Sequence, residues 1–544
     1  MRPRLPLFPL LLPLYPVLFF YSRNTDQLQP RDLTVALVVV TAALALAWAA
    51  VSRPYRDAAK GGTLVAVVGF CFFSYGHATR VAYRLLAGPG ATGSQVALAE
   101  TLVFTLFLAA VALVAFVLAR TGPLPKRLLV VGDVVTLVLV ALPIMAIAGA
   151  ALGPSTSISG RHGGAPGSSP DASVLPTADL PNIVYIIPDG YGRADVLQDL
   201  YGFDNSPFIE RLESRGFRVP ARSRSNYTRT VHSLASTLNM DYVQALLKAP
   251  PPASNEVRPL VELIESNRVV GFLRRRGYRV IANPIASPPA ILEGAESTGR
   301  VPVPPASLFA ELVAMSPLPT VLGMTSPLLA EVEGAGLDPR ALERAAWSGL
   351  IAGGSPDLLR EATVAALDGL GRVSDTQQPL FEIAYVLCPH PPFVFGPDGE
   401  RTEALRVILS DGSHYYDDGG TREEYLRGYP GQLAYLNRLL EETIERLDAS
   451  HTRPTVIIIQ SDHGPGAFFD QEDPRKSDLH ERLSSFLAVR LPGPDASGIA
   501  PDISAVNTFR VVLNAVFDAG LAPLPDHQYY APYARPYELV PVTP

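Results

Sequence analysis

TVIIIQSDHGPG, residues 455–466, runs an apolar, strand-forming stretch directly into Ser461-Asp462-His463-Gly464. Five consecutive β-branched residues, Thr455 to Ile459, suit a strand buried on both faces. An aspartate and a histidine side by side at the end of such a strand are costly to bury unless something pairs them, and a metal ion is the usual partner. The stretch therefore predicts a strand end that carries half of a ligand set, with the other half elsewhere in the chain.

Working outward, short apolar runs alternate with amphipathic stretches. The runs Ile183–Ile187, Tyr278–Ala282, Phe381–Leu387, Val456–Ile459 and Phe486–Val489 read as strands. Helices are expected near Pro207–Gly216, along Val257–Gly277, near Leu358–Gly371, over Glu423–Leu447 and over Ser504–Phe517. This alternation predicts an α/β domain from Pro181 onward, a mostly parallel sheet with helices on both faces. In such sheets chemistry gathers at the carboxyl ends of the strands. Gly396–Gly420, with Asp411, His414, Tyr415, Tyr416, Asp417 and Asp418, reads as a long solvated loop over one end of the sheet.

The first 152 residues differ in kind. The whole chain of 544 residues is 48% hydrophobic, and the excess lies in five apolar runs, roughly Leu5–Tyr21, Leu33–Val51, Thr63–Leu86, Val96–Leu118 and Leu128–Leu152. Most reach the ~20 residues that a helix needs to cross a bilayer. Pro6, Pro9, Pro13 and Pro16 interrupt the first, which follows a basic start; it is read as a membrane helix and not as a signal peptide, since no small-residue cleavage site follows. Arg2 and Arg4, then Arg53, Arg56 and Lys60, then Arg120, Lys126 and Arg127 fall on alternate connections and would face the cytoplasm, with Arg80 and Arg84 dissenting. Five spans then place everything after residue 153 outside the cytoplasm. Residues 153–180, rich in Gly, Ser and Pro, read as a tether.

Residues 1–152 hold 12 of the 45 Lys and Arg and 5 of the 52 Asp and Glu, which leaves 33 against 47 for the remainder, a balance of −14. Such an acidic outer part excludes bulk nucleic-acid binding. Cys71 falls in a membrane span and Cys388 outside, too separated in topology to pair, so the outer domain has no internal disulfide and depends on its own core.

Three polar clusters end apolar runs: Asp189 after Ile183–Ile187, His390 after Phe381–Leu387, and Asp462-His463 after Val456–Ile459. Two aspartates and a histidine at one sheet edge make a divalent-ion site of O and N ligands. Between them lies SNYTRTVHSLASTLNMDYV, residues 225–243, where Thr228, Thr230, Ser233, Ser236 and Thr237 precede a helical run. Hydroxyls and free N–H groups at a helix start seat a phosphate or sulfate, and a hydroxyl bound to a cation becomes a nucleophile. Taken alone, each cluster also reads as an ordinary turn or capping box. The sequon Asn226-Tyr227-Thr228 would place a glycan beside the proposed nucleophile and is read as a chance occurrence.

The order strand-Asp-Gly, Thr-x-x-Ser at a helix start, His-Pro-Pro-Phe and strand-Ser-Asp-His-Gly resembles the sulfatase-like branch of the alkaline phosphatase superfamily. With the membrane spans and tether it looks more narrowly like lipoteichoic-acid synthases and phosphoethanolamine transferases. The resemblance covers about residues 181–520. It implies a membrane-anchored, metal-dependent phosphotransferase or phosphodiesterase acting on a phospholipid or envelope glycan through a phosphothreonine. By position it implies Asp189, Thr230, Asp462 and His463 as ligands of one divalent ion (Mn, Mg or Zn), with a second ion open and His480 as a further ligand for it. Thr230 would be the nucleophile, with Thr228 as rival. His390 would contact the substrate phosphate or protonate the leaving group, and Arg193 and His232 would touch substrate. Where lipoteichoic-acid enzymes carry Glu, this chain has Asp189. The Cys/Ser-x-Pro-x-Arg motif of formylglycine sulfatases is missing from residues 225–237, which disfavours sulfate ester hydrolysis. Two alternatives stay open: a sulfatase-like hydrolase using Thr or Ser, and a catalytically degenerate membrane sensor or scaffold.

Overall fold

The computed structural model describes residues 6–23, 30–86, 93–152, 180–247, 257–283, 292–297, 308, 312, 316–318, 356–402, 410–493 and 498–543. The expected tether falls almost wholly outside the described residues, as does part of the expected loop at 403–409. The chain divides into two units, one holding the apolar N-terminal helices and the other the sheet.

Each of the five N-terminal apolar runs forms a helix: α1 (Phe8–Arg23), α2 (Pro30–Tyr55), α3 (Ala58–Leu86), α4 (Gly93–Arg120) and α5 (Lys126–Leu152). Among the described residues four of these, α2 to α5, are long and apolar enough to cross a membrane. Helix α1 has 16 residues and contains Pro13 and Pro16. At 1.5 Å per residue it falls short of the ~30 Å hydrocarbon core.

The second unit runs β1 (Asn182–Pro188), α6 (Ala194–Tyr201), α7 (Ser206–Ser214), α8 (Thr230–Asn239), α9 (Val243–Leu246), α10 (Arg258–Glu265), α11 (Arg268–Arg275) and β2 (Arg279–Ala282). It continues with α12 (Pro356–Asp368), β3 (Leu380–Val386), α13 (Ser413–Asp417), α14 (Arg422–Ser450) and β4 (Thr455–Gln460). Helix α15 (Leu479–Leu483), β5 (Leu487–Arg490), α16 (Ala505–Phe517), β6 (Gln528–Tyr530) and β7 (Val540–Val542) complete it. The single helical stretch expected over Val257–Gly277 is two helices, because Asn267 leaves the helical conformation and its side chain caps α11 by accepting from the Val270 N–H.

The main sheet has the order β2-β3-β1-β4-β5. Strands β2, β3, β1 and β4 are parallel and β5 is an antiparallel edge. Side chains alternate across it as the pleat requires. Ile183, Tyr185, Ile187, Ile383, Tyr385, Val456 and Ile458 join one core with Leu234, Leu260, Leu273 and Phe509 from α8, α10, α11 and α16. Val184, Ile186, Ala384, Val386, Ile457 and Ile459 join the other with Val196, Phe208, Leu367 and Leu440 from α6, α7, α12 and α14. Burial on both faces is why these strands lack the polar alternation of a half-exposed sheet.

Parallel register brings the carboxyl ends of β1, β3 and β4 to one edge. Asp189, His390 and Asp462 follow those three ends, so the topology gathers the expected clusters there. Asn226, the sequon residue, is buried, with its amide donating to the His527 carbonyl and its side-chain oxygen accepting from the Val506 N–H. Neither cysteine is in a disulfide.

Candidate metal centre

Asp189 follows β1 and is held at the turn by Gly190, whose φ of +74° is a conformation that favours glycine. The Gly190 N–H donates to Asp462 Oδ1 at 3.2 Å, which ties the turn after β1 to the turn after β4. Gly464 has a different reason to lack a side chain. A Cβ there would lie 2.0 Å from the Glu481 carbonyl oxygen, so the segment carrying α15 passes directly over the Asp-His turn.

His463 is buried, and its Nδ1 hydrogen-bonds to the Gly464 carbonyl at 2.9 Å. Nδ1 therefore carries the proton, and Nε2 presents a lone pair. That lone pair faces Asp462 Oδ2 at 3.3 Å, Asp189 Oδ1 at 3.6 Å and Thr230 Oγ1 at 3.2 Å. Burial first, then the nearby Arg482 charge, push the His463 pKa down to about 3, so the imidazole is neutral. Burial raises the carboxyl pKa values of both Asp189 and Asp462, and the Asp462 charge adds to the rise at Asp189.

Asp189 Oδ1 and Asp462 Oδ2 are buried polar atoms without a hydrogen-bond partner. Two such oxygens converging on a nitrogen lone pair repel one another unless a cation stands between them. Asp189, Asp462 and His463 each offer one ligand atom, all within 4.8 Å of one another. This donor set, two carboxylates and a neutral imidazole, fits a divalent ion.

Thr230 opens α8, and its hydroxyl also approaches the Asp462 carboxylate and the Tyr385 hydroxyl. Thr230 is half-buried, whereas Thr228 is fully buried and its Oγ1 accepts from the Ala531 N–H at 3.0 Å. Of the two threonines, only Thr230 meets the ligand set. The helix begins at Thr230, so Ser233, Ser236 and Thr237 lie within it and not ahead of it; Ser233 bonds to the Tyr227 carbonyl and Ser236 to the Asp241 carbonyl.

His390 stands beside the same edge, its N–H donating to the Asp189 carbonyl at 3.0 Å. Its Nδ1 lies 2.6 Å from the Pro391 carbonyl and its Nε2 4.0 Å from Asp411 Oδ2. Burial alone would lower its pKa, but the Asp189 and Asp411 carboxylates outweigh burial and raise it. The other expected contacts are engaged elsewhere. Arg193 forms a two-pronged pair with Asp195 and donates to the Ser223 carbonyl. His232 is fully buried with Nε2 on the Pro536 carbonyl at 2.7 Å, so no face of its ring is open to a substrate. His480 is half-exposed and pairs with Asp195 at 3.3 Å.

Three residues of the centre had no signal in the sequence. Tyr385, on β3, donates its hydroxyl to Asp189 Oδ2. Arg482, on α15, has Nη2 3.1 Å from His463 Nε2 and an ion pair with Asp411. Asp411 comes from the segment read as a solvated loop, yet it is 5% exposed. A tyrosine in an apolar run, an arginine in a short polar helix and an aspartate in a loop are ordinary until the fold brings them together.

No family model and no curated protein matches the chain. Solved structures do. The chain is 13% identical to the integral membrane lipooligosaccharide phosphoethanolamine transferase A from Neisseria meningitidis, covering 94% of this chain and 95% of that one with a TM-score of 0.38. It is 11% identical to the C-terminal periplasmic domain of EcEptC from Escherichia coli, covering 68% and 94% with a TM-score of 0.37. It is 14% identical to a 2-O GAG sulfatase, covering 64% and 72% with a TM-score of 0.37. Phosphoethanolamine transferases and sulfatases are the kinds of protein that the sequence motifs resemble. At these scores the likeness carries nothing about chemistry, and the centre stands on its own residues.

Proposed function

We propose that the chain is a membrane-anchored, metal-dependent phosphotransferase or phosphodiesterase that acts outside the cytoplasm on a lipid- or glycan-linked phosphate through a phosphothreonine at Thr230. The observation that supports it most directly is the Thr230 hydroxyl, half-buried at the start of α8 and 3.2 Å from His463 Nε2, beside two carboxylate oxygens without partners. Asp189, Asp462, His463 and Thr230 would hold the divalent ion, which is Mn, Mg or Zn in this reading. Bound there, such an ion acidifies the threonine hydroxyl and offsets the charge that develops on the phosphoryl oxygens.

The chain's own groups account for the remaining steps. Thr230 Oγ1, its proton already released to solvent, attacks phosphorus in line as the alkoxide, forming the Oγ–P bond as the bond to the leaving oxygen breaks. N–H groups in the first turn of α8 orient phosphoryl oxygens. His390, with Nδ1 held by the Pro391 carbonyl and its pKa raised by two carboxylates, donates a proton to the leaving oxygen. Water or an acceptor hydroxyl then attacks the phosphothreonine, its proton passing to His390, and the Oγ–P bond breaks to return Thr230 as the alkoxide. A chain with its own membrane helices is suited to a lipid donor.

The test is to incubate the full-length protein with labelled phospholipids and map any adduct by mass spectrometry. A phosphorylated or phospho-headgroup adduct on Thr230, lost in Thr230→Ala, is the expected result. An adduct elsewhere, or turnover that survives Thr230→Ala, refutes the assignment.

A further inference from the structure

Helix α8 carries the proposed nucleophile at its first position, yet it starts without a side-chain cap, because Arg229 at the N-cap makes no such bond. A capping side chain ordinarily ties down one of the free N–H groups of the first turn, and helix ends fray. Thr230 Oγ1 nevertheless stands 3.2 Å from His463 Nε2, the placement that the proposed attack needs. Ser233 closes the turn from within, on the Tyr227 carbonyl. A second set of ties reaches it from the far end of the chain.

Residues 527–536, which include most of β6, run parallel beside residues 226–232. The Asn226 side chain donates to the His527 carbonyl at 2.9 Å, and its backbone carbonyl accepts from the Tyr529 N–H at 2.9 Å. The Ala531 N–H donates to Thr228 Oγ1 at 3.0 Å. Arg229 donates to the Tyr533 carbonyl at 3.3 Å and lies over the Tyr533 ring, 4.4 Å from its centroid. His232 Nε2 donates to the Pro536 carbonyl at 2.7 Å. The side-chain ties join residues 301 to 304 positions apart throughout, so the two segments run in register and do not merely cross at one point. On its other side the outer segment is anchored to the stretch that follows the Asp462-His463 turn: the Tyr530 hydroxyl donates to the Asp470 carbonyl at 2.7 Å and the Tyr533 N–H to the Gln471 carbonyl at 2.8 Å. The C-terminal segment therefore bridges the turn that carries Thr230 and the stretch that carries the ligands from β4.

Of these ties, the one from His232 acts inside the first turn of α8, two residues after Thr230. The ring is fully buried, its Nδ1 has no partner, and among the described residues the Pro536 carbonyl is its only hydrogen-bond partner. That carbonyl can only accept, so Nε2 carries the proton. A phenylalanine would fill the same space; what the histidine adds is the one bond. We infer that His232 is a positioning residue, which through the Pro536 carbonyl fastens the first turn of α8 to the C-terminal segment and so sets the Thr230 hydroxyl against the ligand set. The inference rests on the phosphothreonine reading proposed above. It gives His232 a part in the reaction without contact to substrate.

The test separates kcat from KM. Full-length protein in detergent, with saturating Zn2+ or Mn2+, is given headgroup-labelled phosphatidylglycerol or phosphatidylethanolamine; turnover is followed against lipid concentration and the adduct is mapped by mass spectrometry. His232→Phe, which keeps the ring and loses the bond, is expected to lower kcat about 10- to 100-fold with KM within about twofold, because displacing a reacting group by about 1 Å costs on that order. His232→Gln, whose amide can donate to the same carbonyl, is expected to recover kcat to within about fivefold of wild type. A histidine that only stabilised the fold would lower the yield of folded protein and leave the kcat of the folded fraction alone. A folded His232→Phe with kcat within about twofold of wild type, a change in KM alone, or an equal loss in the Phe and Gln variants overturns the inference, and an adduct on Thr230 of the wild type then leaves the phosphoryl chemistry standing. No adduct on Thr230 of the wild type overturns the phosphothreonine reading and the inference with it. Should His232→Phe not fold, Tyr533→Leu decides, since it releases the same segment from Arg229 at a position that is 44% exposed. A lower kcat at unchanged KM is expected there, and an unchanged kcat overturns the inference.

Discussion

Replacing Tyr385 with Phe isolates one hydrogen bond in the candidate metal centre. The ring is 3% exposed and packed in the core on one face of the sheet, and Phe preserves that packing. What disappears is the hydroxyl, which donates to Asp189 Oδ2 and lies against the Thr230 hydroxyl. With Oδ2 anchored, Oδ1 is directed at His463; without the anchor the carboxylate is free to rotate. A hydrogen bond to a charged group contributes ~1.5–3 kcal/mol, which corresponds to a roughly 10- to 150-fold change in an equilibrium constant. Loss of a residue that orients a metal ligand typically costs about 10- to 100-fold in affinity or activity, the same range. Tyr385→Phe is therefore expected to weaken divalent-ion binding by one to two orders of magnitude while the protein stays folded. Chelator competition would measure the ion affinity, circular dichroism the fold, and adduct formation at saturating metal the remaining chemistry. Ion affinity within about twofold of wild type would refute the reasoning, since a bond of about 1.5 kcal/mol cannot vanish without trace from the ligand it orients.

Other substitutions probe separate parts of the site. Thr228→Ala should lower stability by about 1 kcal/mol in urea unfolding, because it orphans the Ala531 N–H, yet retain the adduct on Thr230. Gly464→Ala drives a Cβ to 2.0 Å from the Glu481 backbone carbonyl, so a loss of roughly 3 kcal/mol or more is expected by the same measurement. Burial raises the Glu481 carboxyl from the usual 4.5 to about 8. The folded chain then holds a proton that the unfolded chain releases, so this group's contribution is complete below the unfolded value and is lost as pH rises through about 8. The loss proceeds at about 1.4 kcal/mol per pH unit. Denaturation midpoints at pH 6 and pH 8.5 should therefore diverge in wild type and draw together in Glu481→Gln; equal divergence in both would refute the assignment.

The fold and the polar cluster at the sheet edge were legible for the same reason. Strands buried on both faces are written as unbroken apolar runs, and polar residues at their ends stand out against them, so Asp189, His390, Asp462 and His463 could be picked from the sequence. Helix breaks were less legible: Asn267 divides α10 from α11 through a cap, and the apolar rhythm on either side continues across it. The two threonines were not separable by pattern, because both precede an amphipathic run. Their difference is a bond from Thr228 to the Ala531 N–H, hundreds of residues away.

By itself, the sequence determined the apolar N-terminal helices, the parallel sheet and the strand ends where the polar side chains gather, because periodicity and strand-end polarity are local properties read over a few residues. Only the tertiary structure decided which threonine faces the ligands, that Arg193 and His232 are engaged elsewhere, and that Tyr385, Asp411 and Arg482 belong to the centre. Those outcomes depend on which distant carbonyl, amide or carboxylate each side chain meets, and burial drives most polar groups to partners that no local pattern specifies.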